Sequence, residues 1–282
     1  MALVPFPSKG AKSAPERDPD DWDDEDDTAE QSGGKMSFLD HLDELRRRII
    51  WALAWVLIGF AIACVFYQQL FNFVIDPMKA MLPKGQTLIY TEPTEALMLY
   101  VKIAIIAGIL IASPGVMAQL WLFVAPGLYS HEKKMAIPFI LVSSLFFITG
   151  AAFAHYYVFP LTFKFFGSFS SDAITFMPRI EPAFALYMKL VLIFGAIFQM
   201  PTVVALLARL GLVTARFLWK NFKYAFLAIF IIGAVLSPGT DPVGQIAMAG
   251  PMVVLYLISI VFAWMFGKKR KTAEEEIDGA SV

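Results

Sequence analysis

Six apolar stretches alternate with polar gaps along the chain, at about 49–66, 96–118, 136–159, 183–208, 222–236 and 244–264. A bilayer core about 30 Å thick takes about 20 apolar residues to cross as a helix, and most of these stretches are long enough. Runs of this length exclude the strands of a closed barrel, the other fold that satisfies its backbone in lipid. The fifth stretch is short and the sixth follows after a brief turn, so this pair is expected to tilt or distort. The pattern predicts an all-α integral membrane protein with six transmembrane helices.

Polar residues refine the picture between and before the spans. Ser37-x-x-Asp40 is a capping-box variant that predicts a helix start. Phe38, Leu42, Leu45 and Ile49 then recur at helical spacing, an apolar stripe on an amphipathic cytoplasmic helix leading into the first span. His41, Glu44 and Arg48 fall on another face. Asp76-Pro77, Leu82-Pro83-Lys84-Gly85 and Glu92-Pro93 read as turns in a long connection over 67–95, with Thr87–Tyr90 extended. A second connection covers 160–182 and a third only Ser237–Pro242. Pro114, Pro138, Pro160, Pro201 and Pro251 lie within or at the ends of apolar runs, which predicts kinked helices and a concave bundle.

Overall, 58% of residues are hydrophobic and mean hydropathy is +0.63, which excludes an ordinary soluble globule. The formal net charge of −1 hides a segregation. Residues 1–35 hold ten acidic and four basic side chains, leaving the remainder at +5. That segment, with its run from Asp18 to Asp27, reads as a disordered acidic tail. A membrane domain follows over 36–266, then a charged C-terminal tail over 267–282. No cleavable signal peptide is expected at the start. Basic residues cluster in alternate gaps: Arg46–Arg48, Lys133 and Lys134, Arg209 to Lys223, and Lys268–Lys271 make 13 on one side, against Lys79, Lys84, Lys164 and Arg179 on the other. The positive-inside bias places both termini in the cytoplasm.

Candidate chemistry is sparse. Cys64 has no partner for a disulfide and reads as a small apolar filler. His155 has no His or Cys at metal spacing and reads as an interfacial hydrogen bonder. Lys102 and Lys189 read as snorkelling cations near span ends. Gln199 is almost alone as a polar residue deep in a span, able to bond a partner helix or the backbone gap left by Pro201. A secondary transporter would show repeats and a buried polar site. An intramembrane serine protease would show an activated serine, and a pump driven by nucleotide a phosphate loop. None of these patterns is present, and neither a metal nor a cofactor is expected.

Two segments depart from lipid-facing composition: His41-Leu-Asp-Glu-Leu-Arg-Arg-Arg48 and Gln119 to Lys134. Here the sequence resembles TatC, the receptor subunit of the twin-arginine protein translocase. His41, Leu42, Glu44, Leu45, Arg46 and Arg48 match its pattern before the first span. Phe123, Pro126, Leu128 and Glu132 match its first cytoplasmic loop, Phe159-Pro160 the end of the third span, and Pro238, Asp241 and Gln245 the start of the sixth.

The resemblance implies a receptor, not an enzyme, in the bacterial cytoplasmic membrane. Its expected partners are twin-arginine signal peptides of folded cargo, the single-span subunits TatA and TatB, other TatC copies and the lipid, with no nucleic acid. Glu44 and Glu132 would hold the arginine pair, with Arg46, Phe123, Pro126 and Leu128 around them. Gln199, Asp241, Pro77 and Gln245 would serve partner contact or translocation. From the residues alone, Glu44 could simply pair with Arg48 at i,i+4, a bond worth about 0.3–0.5 kcal/mol. Asp241 could equally cap a helix. The family often carries glutamate at the positions of Gln199 and Leu257, so a titrating role does not transfer to either.

Overall fold

The computed structural model describes residues 38–82, 87–124, 136–170, 176–237 and 242–267. The acidic tail, the C-terminal tail and the proposed cap at Ser37 lie outside these residues. The chain divides into two compact units at Leu45/Arg46, and each is described by itself.

The described residues are helical almost throughout. In order they form α1 (Phe38–Val65), α2 (Tyr67–Ala80), α3 (Pro93–Val124), α4 (Ala136–Phe153), a π-helical turn (Ala154–Val158), α5 (Phe159–Gly167), α6 (Ile180–Ile197), α7 (Met200–Arg209), α8 (Ala215–Lys220), α9 (Phe222–Leu236) and α10 (Pro242–Phe266). The segments His41–Val65, Pro93–Val124, Ile137–Gly167, Ile180–Arg209 and Gly244–Phe266 are long and apolar enough to cross a membrane. The remaining apolar stretch forms α9, whose 15 residues rise only about 22 Å. The helix is short, as its apolar stretch predicts, and residues 238–241 between it and α10 lie outside the described residues.

Several connections are more helical than the turn signals predicted. Asp76-Pro77 does not form a turn; it lies inside α2. Pro160 does not end the third span either. Helix continues through the π turn into α5, with Pro160 in the first turn, where its missing N–H costs little because the preceding turn has already slipped register. Pro114 is accommodated inside α3. The carbonyl it orphans belongs to Leu110, and the Ser113 hydroxyl donates to that oxygen at 2.7 Å. The fourth span breaks at Phe198 and Gln199, between α6 and α7, with Pro201 opening the next helix.

Close packing follows small residues. A Cβ on Gly59 would lie 2.3 Å from the carbonyl oxygen of Gly108, and one on Gly108 would lie 2.7 Å from the Phe60 backbone. Glycine at both positions lets the backbones of α1 and α3 touch. The C-terminus of α7 closes with Gly211 at φ 76°. Leu212 N–H donates to Leu207 O at 2.9 Å and Gly211 N–H to Ala208 O at 3.1 Å, a Schellman ending that only a left-handed residue permits cheaply. The Thr214 hydroxyl then caps α8 by accepting from Phe217 N–H at 3.2 Å.

The core centres on α6, whose Phe184, Tyr187, Leu190, Val191 and Phe194 are buried against α2, α3, α4 and α5. A second cluster joins α7, α8, α9 and α10. The outward faces stay apolar, as on α1 at Ile50, Leu53, Leu57 and Val65, which suits hydrocarbon as solvent. Cys64 is exposed on this face and fills no core gap.

Candidate functional site

Three polar constellations stand out against the apolar helices. The first lies among the middle spans. Gln199, at the break between α6 and α7, donates from Nε2 to the Ser143 carbonyl oxygen of α4 at 2.9 Å. The same Ser143 accepts from Trp121 Nε1 of α3 through its hydroxyl at 2.7 Å. One serine therefore ties three spans, and Trp121 packs on Phe139 with ring centroids 4.8 Å apart. Of the two readings open for Gln199, closure of the Pro201 gap is not what the amide does. Its donor crosses to a neighbouring helix.

The second constellation joins the two long connections. Arg179, just before α6, pairs through its guanidinium with the Glu95 carboxylate in the first turn of α3. Glu95 is 5% exposed, and it also accepts from Thr91 N–H and the Thr91 hydroxyl, both at 3.2 Å. The carboxylate in turn holds Arg179 even more firmly protonated than a guanidinium already is. Beside the pair, Ile180 N–H donates to Ile89 O at 2.9 Å and Ile89 N–H to Pro178 O at 3.3 Å, an isolated parallel bridge between Ile89 and Arg179. Thr87–Tyr90 is thus extended where expected. Lys102 does not simply snorkel; its ammonium meets Glu181 at 2.8 Å.

The third is aromatic. His155 in the π turn is buried and shares a hydrogen bond with the Tyr187 hydroxyl at 3.0 Å through Nδ1. Phe73 of α2 stacks on its ring at 4.2 Å. His155 is a hydrogen bonder, as expected, but an interior one.

The residues singled out for signal recognition are only partly within the described chain. Glu44 is half-buried on α1 and Arg46 is exposed there. Phe123 is half-buried in the last turn of α3. Glu132, Pro126, Leu128 and Asp241 lie outside the described residues. Arg48 reaches α3, where its Nη1 donates to Gln119 Oε1 at 3.4 Å. Pro77 is half-buried within α2. Gln245 donates to Phe230 O at 3.0 Å, pinning α10 to α9. Leu257 is partly exposed, while its neighbour Tyr256 is buried and donates to Leu218 O at 2.9 Å.

Ser143, Glu95 and Arg179 were not singled out from the sequence. Glu95 carried a faint signal, an acid in the turn after Glu92-Pro93 at a helix start. Ser143 carried none beyond its place beside Ser144 in an apolar run. Among the described residues no cluster of His, Cys, Asp and Glu is arranged to hold a metal ion.

These features define a polytopic helical membrane protein whose interior polar groups tie helices to one another. Its relatives give the class a name. Residues 40–251 match the family model described as TatC, Sec-independent protein translocase protein. The chain is 42% identical over 242 residues to the Sec-independent protein translocase protein TatC of Desulforapulum autotrophicum, covering 86% of this chain and 89% of that one. It is 36% identical to the Aquifex aeolicus protein of the same name, covering 85% and 100%. It superposes on a crystal structure described as the twin arginine translocase receptor TatC with a TM-score of 0.68 at 39% identity, over 79% of this chain and 97% of that one. This chain belongs to the TatC family.

Proposed function

We propose that the chain is the signal-peptide receptor of a twin-arginine translocase, exporting folded proteins. It would sit in the bacterial inner membrane with six spans and both termini in the cytoplasm. The observation that carries this reading is the ordered set of family residues, from Glu44 and Arg46 through Phe123, Pro126, Leu128 and Glu132 to Gln245, in a chain similar along most of its length to proteins of that name.

Glu44 and Glu132 each accept one arginine of the signal. A guanidinium is planar, always charged and forked, so it makes paired charge-assisted bonds to a carboxylate that an ammonium cannot reproduce. Phe123, Pro126 and Leu128 form the apolar shoulder for flanking signal residues, and Arg46 sets the local charge. Asp241, Pro77 and Gln245 act later, in translocation. Gln199 contributes by holding the spans that a partner helix meets. TatA, TatB and further copies of the chain complete the assembly. Binding and handover do the work, with no covalent step by any residue.

Photo-crosslinking from positions 44 and 132 to an Arg-Arg signal peptide tests this, against the same peptide with Lys-Lys. Crosslinks expected with Arg-Arg should vanish with Lys-Lys. Equal crosslinking of both peptides would return the two acids to surface pairing.

A further inference from the structure

The connection from α7 to α9 carries a basic and aromatic surface that has no part in the reading above. No acidic residue occurs between Glu181 and Asp241 in the sequence. Arg216, Lys220 and Lys223 are exposed there, and among the described residues none of the three meets a carboxylate. Phe217, Trp219 and Tyr224 are exposed beside them, at 57%, 66% and 62%.

Packing dictates this arrangement. α8 buries one residue, Leu218, in the cluster it shares with α9 and α10, and the Tyr256 hydroxyl of α10 donates to the Leu218 carbonyl oxygen at 2.9 Å. At about 3.6 residues per turn, positions 216 and 220, each two away from Leu218, share the opposite side of the helix, with 217 and 219 on its flanks. Holding Leu218 inward therefore turns Arg216 and Lys220 outward together, with an aromatic ring to either side. Asn221 fixes the junction with α9 by donating from Nδ2 to Phe217 O at 3.0 Å. In the first turn of α9, Lys223 holds its Nζ 4.9 Å from the centre of the Tyr224 ring, a cation–π contact that steadies the ammonium without cancelling its charge.

Three cations with no carboxylate call for an anion, and the rings say where it lies. Exposed Trp and Tyr settle at the boundary between hydrocarbon and headgroups. α8 stands where the chain leaves one apolar helix, α7, and enters another, α9, which puts it at that boundary and its cations level with lipid phosphate. An acidic protein segment would satisfy the cations but leave the rings in water.

We infer that α8 and the first turn of α9 bind the headgroup of an anionic phospholipid, its phosphate meeting Arg216, Lys220 and Lys223 while Phe217, Trp219 and Tyr224 set the depth. Basic clusters next to a span recognise anionic lipid in this way. The inference does not depend on signal-peptide recognition.

The test uses the full chain in phosphatidylcholine nanodiscs with a small fraction of phosphatidylglycerol bearing a diazirine near the headgroup end of one acyl chain. A phosphatidylcholine probe with the same chains is the comparison, and adducts are mapped by peptide mass spectrometry. Phosphatidylglycerol should label residues 215–224 in preference to phosphatidylcholine, while both label the exposed Leu145 of α4 alike. Arg216→Gln, Lys220→Gln and Lys223→Gln should each lower the preference about five-fold, and the triple variant should lose it. Trp219→Leu, which leaves the charges in place, should keep it. In about 1 M salt, where screening acts over about 3 Å, the preference of the unaltered chain should fall.

Equal labelling of 215–224 by both lipids in the unaltered chain overturns the site, as does a preference that salt and the triple variant leave unchanged. The salt series needs no substitution, so a variant that fails to fold does not blur the answer. A polyglutamate peptide that binds the unaltered chain in phosphatidylcholine alone, and displaces the phosphatidylglycerol label from 215–224, gives the surface to an acidic protein segment and also overturns the inference.

Discussion

Arg179 is bonded to Glu95 across 84 positions of sequence, which joins the start of α6 to the start of α3. The Glu95 carboxylate is buried and collects donors from Thr91 as well. A buried carboxylate left without its cation keeps the cost of desolvation and loses the compensation. Arg179→Gln is therefore expected to lower the Tm, and Glu95→Gln to lower it less, because a neutral amide tolerates the site better than an orphaned charge. The double variant should fall no further than Arg179→Gln alone. Thermal unfolding of the four proteins in one detergent checks this, and additive losses would mean the two residues act separately.

The bond from Gln199 to the Ser143 carbonyl makes a narrower prediction. Interhelical hydrogen bonds in membranes average about 0.6 kcal/mol and reach about 1.7 at most. Gln199→Leu should cost an amount in that range and leave the fold intact. Gln199→Glu behaves differently, because an ionised carboxylate would set acceptor against acceptor. Only the protonated acid can donate to Ser143 O. This variant should be less stable than Gln199→Leu at neutral pH and recover on acidification, with unfolding followed across a pH series. A flat profile would mean that the side chain has turned away from Ser143.

The spans and their order were legible because hydropathy along the chain reports the one constraint that lipid imposes everywhere. The extended Thr87–Tyr90 and the short α9 were legible for the same local reasons. What escaped is non-local. Pro77 and Pro160 signal breaks, yet tertiary packing carries helix through both, and one of them uses a π turn to do so. Gln199 stood out as a polar residue in lipid, but its partner is a backbone carbonyl 56 residues away, and carbonyls have no sequence signature. Glu95 and Arg179 each look like ordinary flanking charges until the fold pairs them. For the two acids proposed to bind the signal the situation is reversed: Glu44 and Glu132 are proposed from their sequence pattern alone.

Glycine makes the third prediction. Gly108→Ala must push a methyl against the Phe60 backbone at 2.7 Å, and backbone cannot swing aside as a side-chain tip can. Overpacking of this kind costs about 1–3 kcal/mol. Gly250→Ala meets nothing within 4 Å, and alanine favours helix over glycine by about 1 kcal/mol. The first variant should lower the Tm and the second should hold or raise it. A destabilising Gly250→Ala with a neutral Gly108→Ala would contradict the close approach of α1 and α3.

The last prediction concerns charge at the signal site. If Glu44 and Glu132 each receive one arginine, Glu44→Lys and Glu132→Lys should each abolish export of twin-arginine cargo while the protein accumulates in the membrane at its normal level. Glu→Gln should do less harm, because an amide still accepts a hydrogen bond and repels nothing. A bond to a charged group contributes about 1.5–3 kcal/mol, so neutralising one acid should weaken signal binding roughly 10- to 150-fold. The same signal with Lys-Lys should bind weakly to the unaltered receptor and lose less again when an acid is neutralised, since the fork geometry is already gone. Binding of both peptides to all variants, with export measured in the same strains, separates these outcomes. Full export by both Lys variants would remove the two acids from the site and leave the apolar shoulder at Phe123, Pro126 and Leu128 as the place to look.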